Sequence, residues 1–212
     1  MKLSQFISLL SAMLGAEEKT IRMIVRYLRE AGLFTTGARG VNSPDITALD
    51  AVRVIIAHMA SPSPSKAVKD VLYFGALQPD LRADQKDHTW PLGLDPNKTL
   101  EQALVDLLEN TVSNYRLISW GMLRLSDTGD AWIEAEEYVQ EYHHREQWTK
   151  MRDATDARGT DEGKRLRREG KSPLDEMESM ARTTGTKVHR SAEYCIGDLH
   201  EIGFELLGWE VE

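Results

Sequence analysis

The run Lys19-Thr20-Ile21-Arg22-Met23-Ile24-Val25-Arg26-Tyr27-Leu28-Arg29-Glu30-Ala31-Gly32 decides how the N-terminal third of the chain is read. Ile21, Ile24, Val25 and Leu28 recur at helical spacing and form one apolar stripe. The opposite face carries Lys19, Thr20, Arg22, Met23, Arg26 and Arg29, and Gly32 supplies a stop. Just upstream, Phe6, Ile7, Leu9, Leu10, Met13 and Leu14 repeat at the same spacing, with Ser4 as the expected N-cap and Gly15 closing the segment. Two short helices about a tight glycine-containing turn predict a helix-turn-helix whose second helix enters a DNA major groove. The residue types suit that task. Arginine reaches guanine edges with two parallel hydrogen bonds, while lysine and threonine hold phosphates.

Beyond Leu33-Phe34 the sequence Thr35-Thr36-Gly37-Ala38-Arg39-Gly40-Val41-Asn42-Ser43-Pro44 reads as a compact loop with Arg39 exposed at its tip. Thr47, with Asp50 three residues on, predicts a capping box and a third helix. The expected core face of that helix is Leu49, Val52, Ile55, Ile56 and Met59. Ser61-Pro62-Ser63-Pro64 breaks it. A fourth helical segment over 65–77 offers Ala67, Val68, Val71, Leu72 and Phe74 as apolar contacts.

Thr20-Ile21-Arg22, then Tyr27-Leu28-Arg29-Glu30-Ala31-Gly32-Leu33, then Arg39-Gly40 and an Asp-containing helix resemble the winged helix-turn-helix of MerR-type regulators and related phage excisionases. The resemblance covers residues 4–60. This chain places an extra residue or two between Arg22 and Tyr27 and lacks the aromatic residue of the wing. What the resemblance implies is contact with DNA through Lys19, Thr20, Arg22 and Arg26 on the second helix and through Arg39 in the wing.

Composition sets the outer bounds. The 212 residues include 41% hydrophobic and 28% charged side chains, so the chain can build a core as one large domain or two small ones. A net charge of −8 excludes a wholly basic nucleic-acid coat protein. That charge is unevenly spread. Residues 1–70 hold nine Lys or Arg against six Asp or Glu, whereas the remainder holds 17 against 28. A mildly basic N-terminal unit attached to an acidic remainder suggests that one part meets a polyanion. The single cysteine, Cys195, excludes an intramolecular disulfide framework and a Cys-rich zinc site. No apolar run approaches a membrane span, and the first residues lack the pattern of a secretory signal, so a cytoplasmic protein with no membrane partner is expected.

The rest of the chain reads as α+β. Residues 78–98 are turn-rich and look like a linker. Thr99 with Gln102 opens a helix over 99–110, with Leu100, Ala103, Leu104, Leu107 and Leu108 on one face. The period then shortens. Tyr115 to Leu125 read as a strand, Asp127-Thr128-Gly129-Asp130 as a turn and Ala131 to Ala135 as the returning strand. Tyr138, Val139, Tyr142 and Trp148 fit either a third strand or the start of a helix. Residues 150–182 hold 17 charged side chains among 33, which predicts a mobile or solvated segment. Lys187 to Cys195 read as a strand, and Asp198 as the cap of a final helix. The division expected is therefore a helix-turn-helix domain over 1–77, a linker over 78–98, and a small mixed α+β domain with an antiparallel hairpin over 99–212.

Catalytic motifs fail on inspection. Asp127-Thr128-Gly129 matches the aspartic-protease turn over three residues only, and Asp130 would disturb a shared proton. Gly170-Lys171-Ser172 lacks the earlier glycine of a phosphate-binding loop, that position being Arg165. His143-His144, flanked by Glu141 and Glu146, could hold a metal, but adjacent strand residues face opposite sides and no third ligand sits at helical spacing, so a surface or partly packed pair is expected. Cys195 reads as a core residue. The expectation is a protein with no catalytic residue, metal or cofactor, which binds double-stranded DNA in a sequence-specific way as a phage-related transcriptional regulator. One unit offers few cations, so a homo-oligomer, first of all a dimer, is expected. A ring-forming DNA-packaging component of small-terminase type and a protein-interaction adaptor are the other readings.

Overall fold

Two positive-φ glycines shape the N-terminal third. Gly15 (φ 59°) follows α1 (Leu3–Met13) and Gly32 (φ 71°) follows α2 (Glu18–Glu30), each at a helix end where a side chain would strain the left-handed backbone. Between the helices, the Ser11 hydroxyl donates to the Ala16 carbonyl at 2.5 Å and fixes the turn. Helix α1 begins two residues earlier than Ser4 implies: Lys2 is its N-cap, and its backbone N–H donates to the Gln5 side chain at 3.2 Å. The Gln5 amide thus makes the return bond of a capping box, to the N-cap N–H, without a side-chain acceptor on Lys2.

The computed structural model describes residues 1–37, 45–80, 95, 97–110, 121–126, 129–135, 138–144, 164–165, 191–195, 202–203 and 205–206. Arg39 and the loop tip, the strand residues 115–120, the Asp127-Thr128 pair, Gly170-Lys171-Ser172 and most of 150–182 lie outside them. Among the described residues the fold is α+β, with five α-helices and one five-stranded antiparallel sheet.

Helix α3 (Ala48–Ala60) is the centre of the molecule. Its capping box forms as the sequence predicts, with Asp50 N donating to Thr47 Oγ1 and the Asp50 carboxylate accepting from Thr47 N at 2.9 Å. Its burial differs from a one-sided stripe. Ala51, Val52, Val54, Ile55, Ile56 and Ala57 are all buried, while Leu49 and Met59 are only half-buried. A helix apolar on nearly all sides must be enclosed, and α3 touches α2, α4 (Ala67–Gly75), α5 (Leu100–Glu109) and two strands. Helix α4 follows a 3-10 turn at Pro64–Lys66 and buries Ala67, Val71 and Phe74. Leu72, expected among its contacts, faces outward at 57% exposure.

Helix α5 starts at the predicted Thr99 cap, with Gln102 N donating to Thr99 Oγ1 and Thr99 N donating to Gln102 Oε1. Leu100 N also donates to Leu77 O at 3.0 Å, which ties the start of α5 to the chain leaving α4. Leu100, Ala103, Leu104, Leu107 and Leu108 are buried in the same continuous core as Phe6, Ile21, Leu28 and Ile55.

The sheet runs β1-β4-β3-β2-β5, all neighbours antiparallel. Its strands are β1 (Gln78–Pro79), β2 (Met122–Ser126), β3 (Ala131–Ala135), β4 (Tyr138–His143) and β5 (Ser191–Cys195). The hairpin of β2 and β3 is the expected one, and β4 is a third strand rather than a helix. Gln78 and Pro79, which read as part of a turn-rich connection, form a two-residue edge strand, a place where proline's missing N–H is tolerated. Alternation along the strands sends Leu123, Leu125, Ala131, Ile133 and Tyr142 into the core with Tyr194. The outer face carries Arg124, Glu134 and Glu193, joined by ion pairs of 3.0 and 3.3 Å from Arg124. Cys195, expected in the core, ends β5 half-buried, because its register partner Met122 also lies outside the buried row.

Candidate functional site

The face of α2 opposite its core stripe is the first candidate. Ile21, Ile24, Val25 and Leu28 are buried, which holds the helix axis against the body of the protein. Lys19, Arg22 and Arg26 are exposed on the other side, Thr20 and Met23 half-exposed beside them. Lys19 and Arg26 are two helical turns apart, so the cationic ridge is about 10 Å long at 1.5 Å per residue. A B-DNA major groove is about 12 Å wide.

The cations on this ridge are not bare. Arg22 Nη2 donates to Glu18 Oε2 at 2.8 Å, and Arg26 Nε donates to Glu30 Oε1 at 2.7 Å, each pair one helical turn apart. The Ser8 hydroxyl of α1 donates to Glu18 Oε1 at 2.6 Å. That hydrogen bond, then Arg22, holds the Glu18 carboxyl below its ordinary 4.5. Arg29 is turned differently. It is half-buried, its guanidinium carbon lies 5.2 Å from the centre of the Phe34 ring, and among the described residues its Nε has no hydrogen-bond partner. Arg29 thus packs on the segment leaving α2, while Lys19, Arg22 and Arg26 point to solvent. Arg39, the wing residue of the resemblance, lies outside the described residues.

Loop 35–47, which would carry the wing, has both ends held by one buried carboxylate. Asp50 Oδ1 accepts from Thr35 N at 2.7 Å, and Asp50 Oδ2 accepts from Thr47 N and Thr47 Oγ1 at 2.9 and 2.8 Å. Next to it, Arg53 chelates Glu101 through Nε and Nη2 at 2.8 and 3.2 Å and donates Nη1 to Leu33 O at 3.0 Å. The base of α2 is therefore fastened to α3 and α5.

A second cluster lies on the outer face of the sheet. His143 Nδ1 is 2.8 Å from Asp130 Oδ1, and His143 Nε2 is 3.4 Å from Glu141 Oε2. Burial of the ring opposes its charging, but hydrogen bonds to and charges on Asp130 and Glu141 outweigh it, so the imidazole titrates above its ordinary 6.5. His144 turns the other way, against the Tyr73 ring at 4.4 Å, as adjacent strand residues should. Tyr73 also covers the hairpin turn. Its hydroxyl lies 2.1 Å from where a Cβ on Gly129 would stand, and burial, with the charge of Asp130, pushes its phenol up to about 12. The sequence set Glu141 and Glu146 beside these histidines; Glu141, on the same strand, is a partner of His143, while Asp130 comes from the residue before β3 and Tyr73 from α4. Glu146 lies outside the described residues.

Among the described residues no helix is long and apolar enough to cross a membrane. No family model matches the chain, and no curated protein or solved structure is significantly similar to it.

Proposed function

We propose that the protein binds double-stranded DNA through the solvent face of α2, as a non-enzymatic, phage-related transcriptional regulator of the winged helix-turn-helix kind. The observation that carries this reading is the division of α2 into a fully buried apolar stripe and an exposed ridge of Lys19, Arg22 and Arg26. A rigid helix whose cations project from a short glycine-closed turn fits a major groove in length and charge. Lys19 and Thr20, at the start of the helix, lie where phosphate contacts are made; Arg22, Met23 and Arg26 lie where base edges are read. Three exposed cations neutralise few phosphates, so binding is as a homo-oligomer that presents at least two such helices.

The test is fluorescence anisotropy of the full chain with labelled genomic duplexes at several salt concentrations. Counting all three exposed cations as displacing counterions sets the steepest slope of log K against log salt at about −3 per chain, and about −5 for a dimer. Replacing Arg22 and Arg26 together with Ala is expected to abolish duplex binding while leaving the melting temperature almost unchanged, because exposed pairs within a helix add little stability. Unchanged binding by that variant overturns the assignment.

A further inference from the structure

We infer that Asp80, Glu141 and His143 form a binding site for one divalent first-row transition-metal ion of the zinc class, with Asp130 as the outer carboxylate that orients the histidine. Strand register brings the four together. His143 stands opposite Gln78 and Tyr142 opposite Pro79, and Asp80 N donates to Glu141 O at 2.8 Å, so Asp80 continues the ladder opposite Glu141. On the other side of β4, Tyr142 pairs with Ala131, which sets Asp130 beside His143. Paired residues of antiparallel strands share a face, so all four side chains emerge on the outer side of the sheet, away from Tyr142 in the core.

The ligand atoms lie close enough for one ion to gather them with small side-chain rotations. Asp80, Glu141 and His143, all half-buried, each offer a ligand atom, and these atoms lie within 4.8 Å of one another. His143 Nε2 and Glu141 Oε2 are 3.4 Å apart, long for a charge-assisted hydrogen bond. It equals the edge of a tetrahedron whose metal–ligand arms are the usual 2.0–2.1 Å, about 3.4 Å. The 2.8 Å contact with Asp130 Oδ1 keeps a ring proton on Nδ1, so an ion at Nε2 would take the place of the proton that faces Glu141. A carboxylate behind the imidazole is the arrangement by which metal-binding histidines are fixed in tautomer and made more basic.

The donor set names the class of ion. An imidazole with two carboxylates suits Zn²⁺ and its neighbours, whereas Ca²⁺ takes six to eight oxygens. Three protein ligands leave a fourth position for water. Bound there, the ion would staple β1, only two residues long, to β4, and through Asp130 would hold the β2–β3 turn. None of these residues belongs to α2, so the site stands or falls independently of DNA binding.

Isothermal titration of Zn²⁺ into the untagged, chelator-treated full chain tests it, with the visible absorption of the Co²⁺ form as a second readout. One ion per chain is expected, with a melting temperature that rises with Zn²⁺ concentration. His143→Gln and Asp80→Asn, nearly isosteric and checked for folding by circular dichroism, are expected to lose both responses. Asp130→Asn should weaken binding by about 10- to 100-fold without abolishing it. The proposal is overturned if the wild type takes up no Zn²⁺, if folded His143→Gln binds it equally well, or if Ca²⁺ stabilises the chain more than Zn²⁺ does.

Discussion

The Asp50 carboxylate accepts the backbone N–H of Thr35 at 2.7 Å while its second oxygen caps its own helix through Thr47. One side chain, 2% exposed, thus closes the loop between α2 and α3 and starts α3. Asp50→Ala removes the return half of the α3 capping box and leaves the Thr35 and Thr47 backbone donors without this partner. The expected loss is about 2–4 kcal/mol, measured as a lower urea midpoint at unchanged slope. Limited proteolysis within 36–46 should accelerate in the same variant. A loss below about 0.5 kcal/mol would show that water replaces the carboxylate freely.

Arg53 and Glu101 make the polar link between α3 and α5, both only about one-fifth exposed. Truncating either one strands a charge that the other had neutralised. Arg53→Ala also releases Leu33 O. Each single substitution should therefore cost more than the pair contributes. A double-mutant cycle with Glu101→Ala should return a coupling of about 1–3 kcal/mol, whereas additive losses would mean the bidentate contact contributes nothing beyond packing.

Gly15 and Gly129 both have positive φ, but only Gly129 is pressed by a neighbour. A Cβ at Gly15 meets nothing within 4 Å, whereas at Gly129 it falls 2.1 Å from Tyr73 Oη and 2.9 Å from the ring carbon that bears it. Gly15→Ala should cost about 1 kcal/mol, the strain of the left-handed backbone alone. Gly129→Ala must also push aside the Tyr73 phenol, so its melting temperature should fall clearly further. Equal losses would show that Tyr73 moves aside without cost.

His58, near the end of α3, is half-buried, and burial pushes its imidazole below the ordinary 6.5. The unfolded chain then binds a proton at a higher pH than the folded one, so the neutral ring favours the folded state only above that range. Stability should decline as pH falls from about 6.5 through the lowered folded value. His143, raised instead, acts in the opposite direction and is lost as pH rises. Comparing wild type with His58→Gln at each pH cancels it. The variant should show the flatter acid limb, and parallel curves would refute the assignment.

What the sequence made legible was local. Gly15, Gly32 and the Thr47 and Thr99 capping boxes are complete within four residues, and each stands where spacing places it. The enclosure of α3 was not legible, because Ala51, Val54 and Ala57 are buried by elements distant in sequence. The edge strand Gln78–Pro79 has too few residues to show a period, yet its register is what brings Asp80 to Glu141 and His143. On α2, residue types identified the ridge but not its partners. Turns of one helix bring Glu18 and Glu30 to the arginines, and the Arg29–Phe34 contact depends on how the chain leaves the helix.

Those in-helix partners set a further test of the α2 ridge. Glu18 and Glu30 each hold one arginine that the proposed interface needs. A phosphate or guanine edge must either displace the carboxylate or accept its repulsion, and both weaken binding. Glu18→Gln with Glu30→Gln frees Arg22 and Arg26 and removes two negative charges from the approaching surface. Duplex affinity should rise several-fold, chiefly through faster association at low salt, and the gain should shrink as salt screens it. The same double substitution in an Arg22→Ala/Arg26→Ala background should add far less, since only Lys19 remains on the ridge. An affinity unchanged in the first background, or raised equally in both, would mean that DNA does not approach along this face.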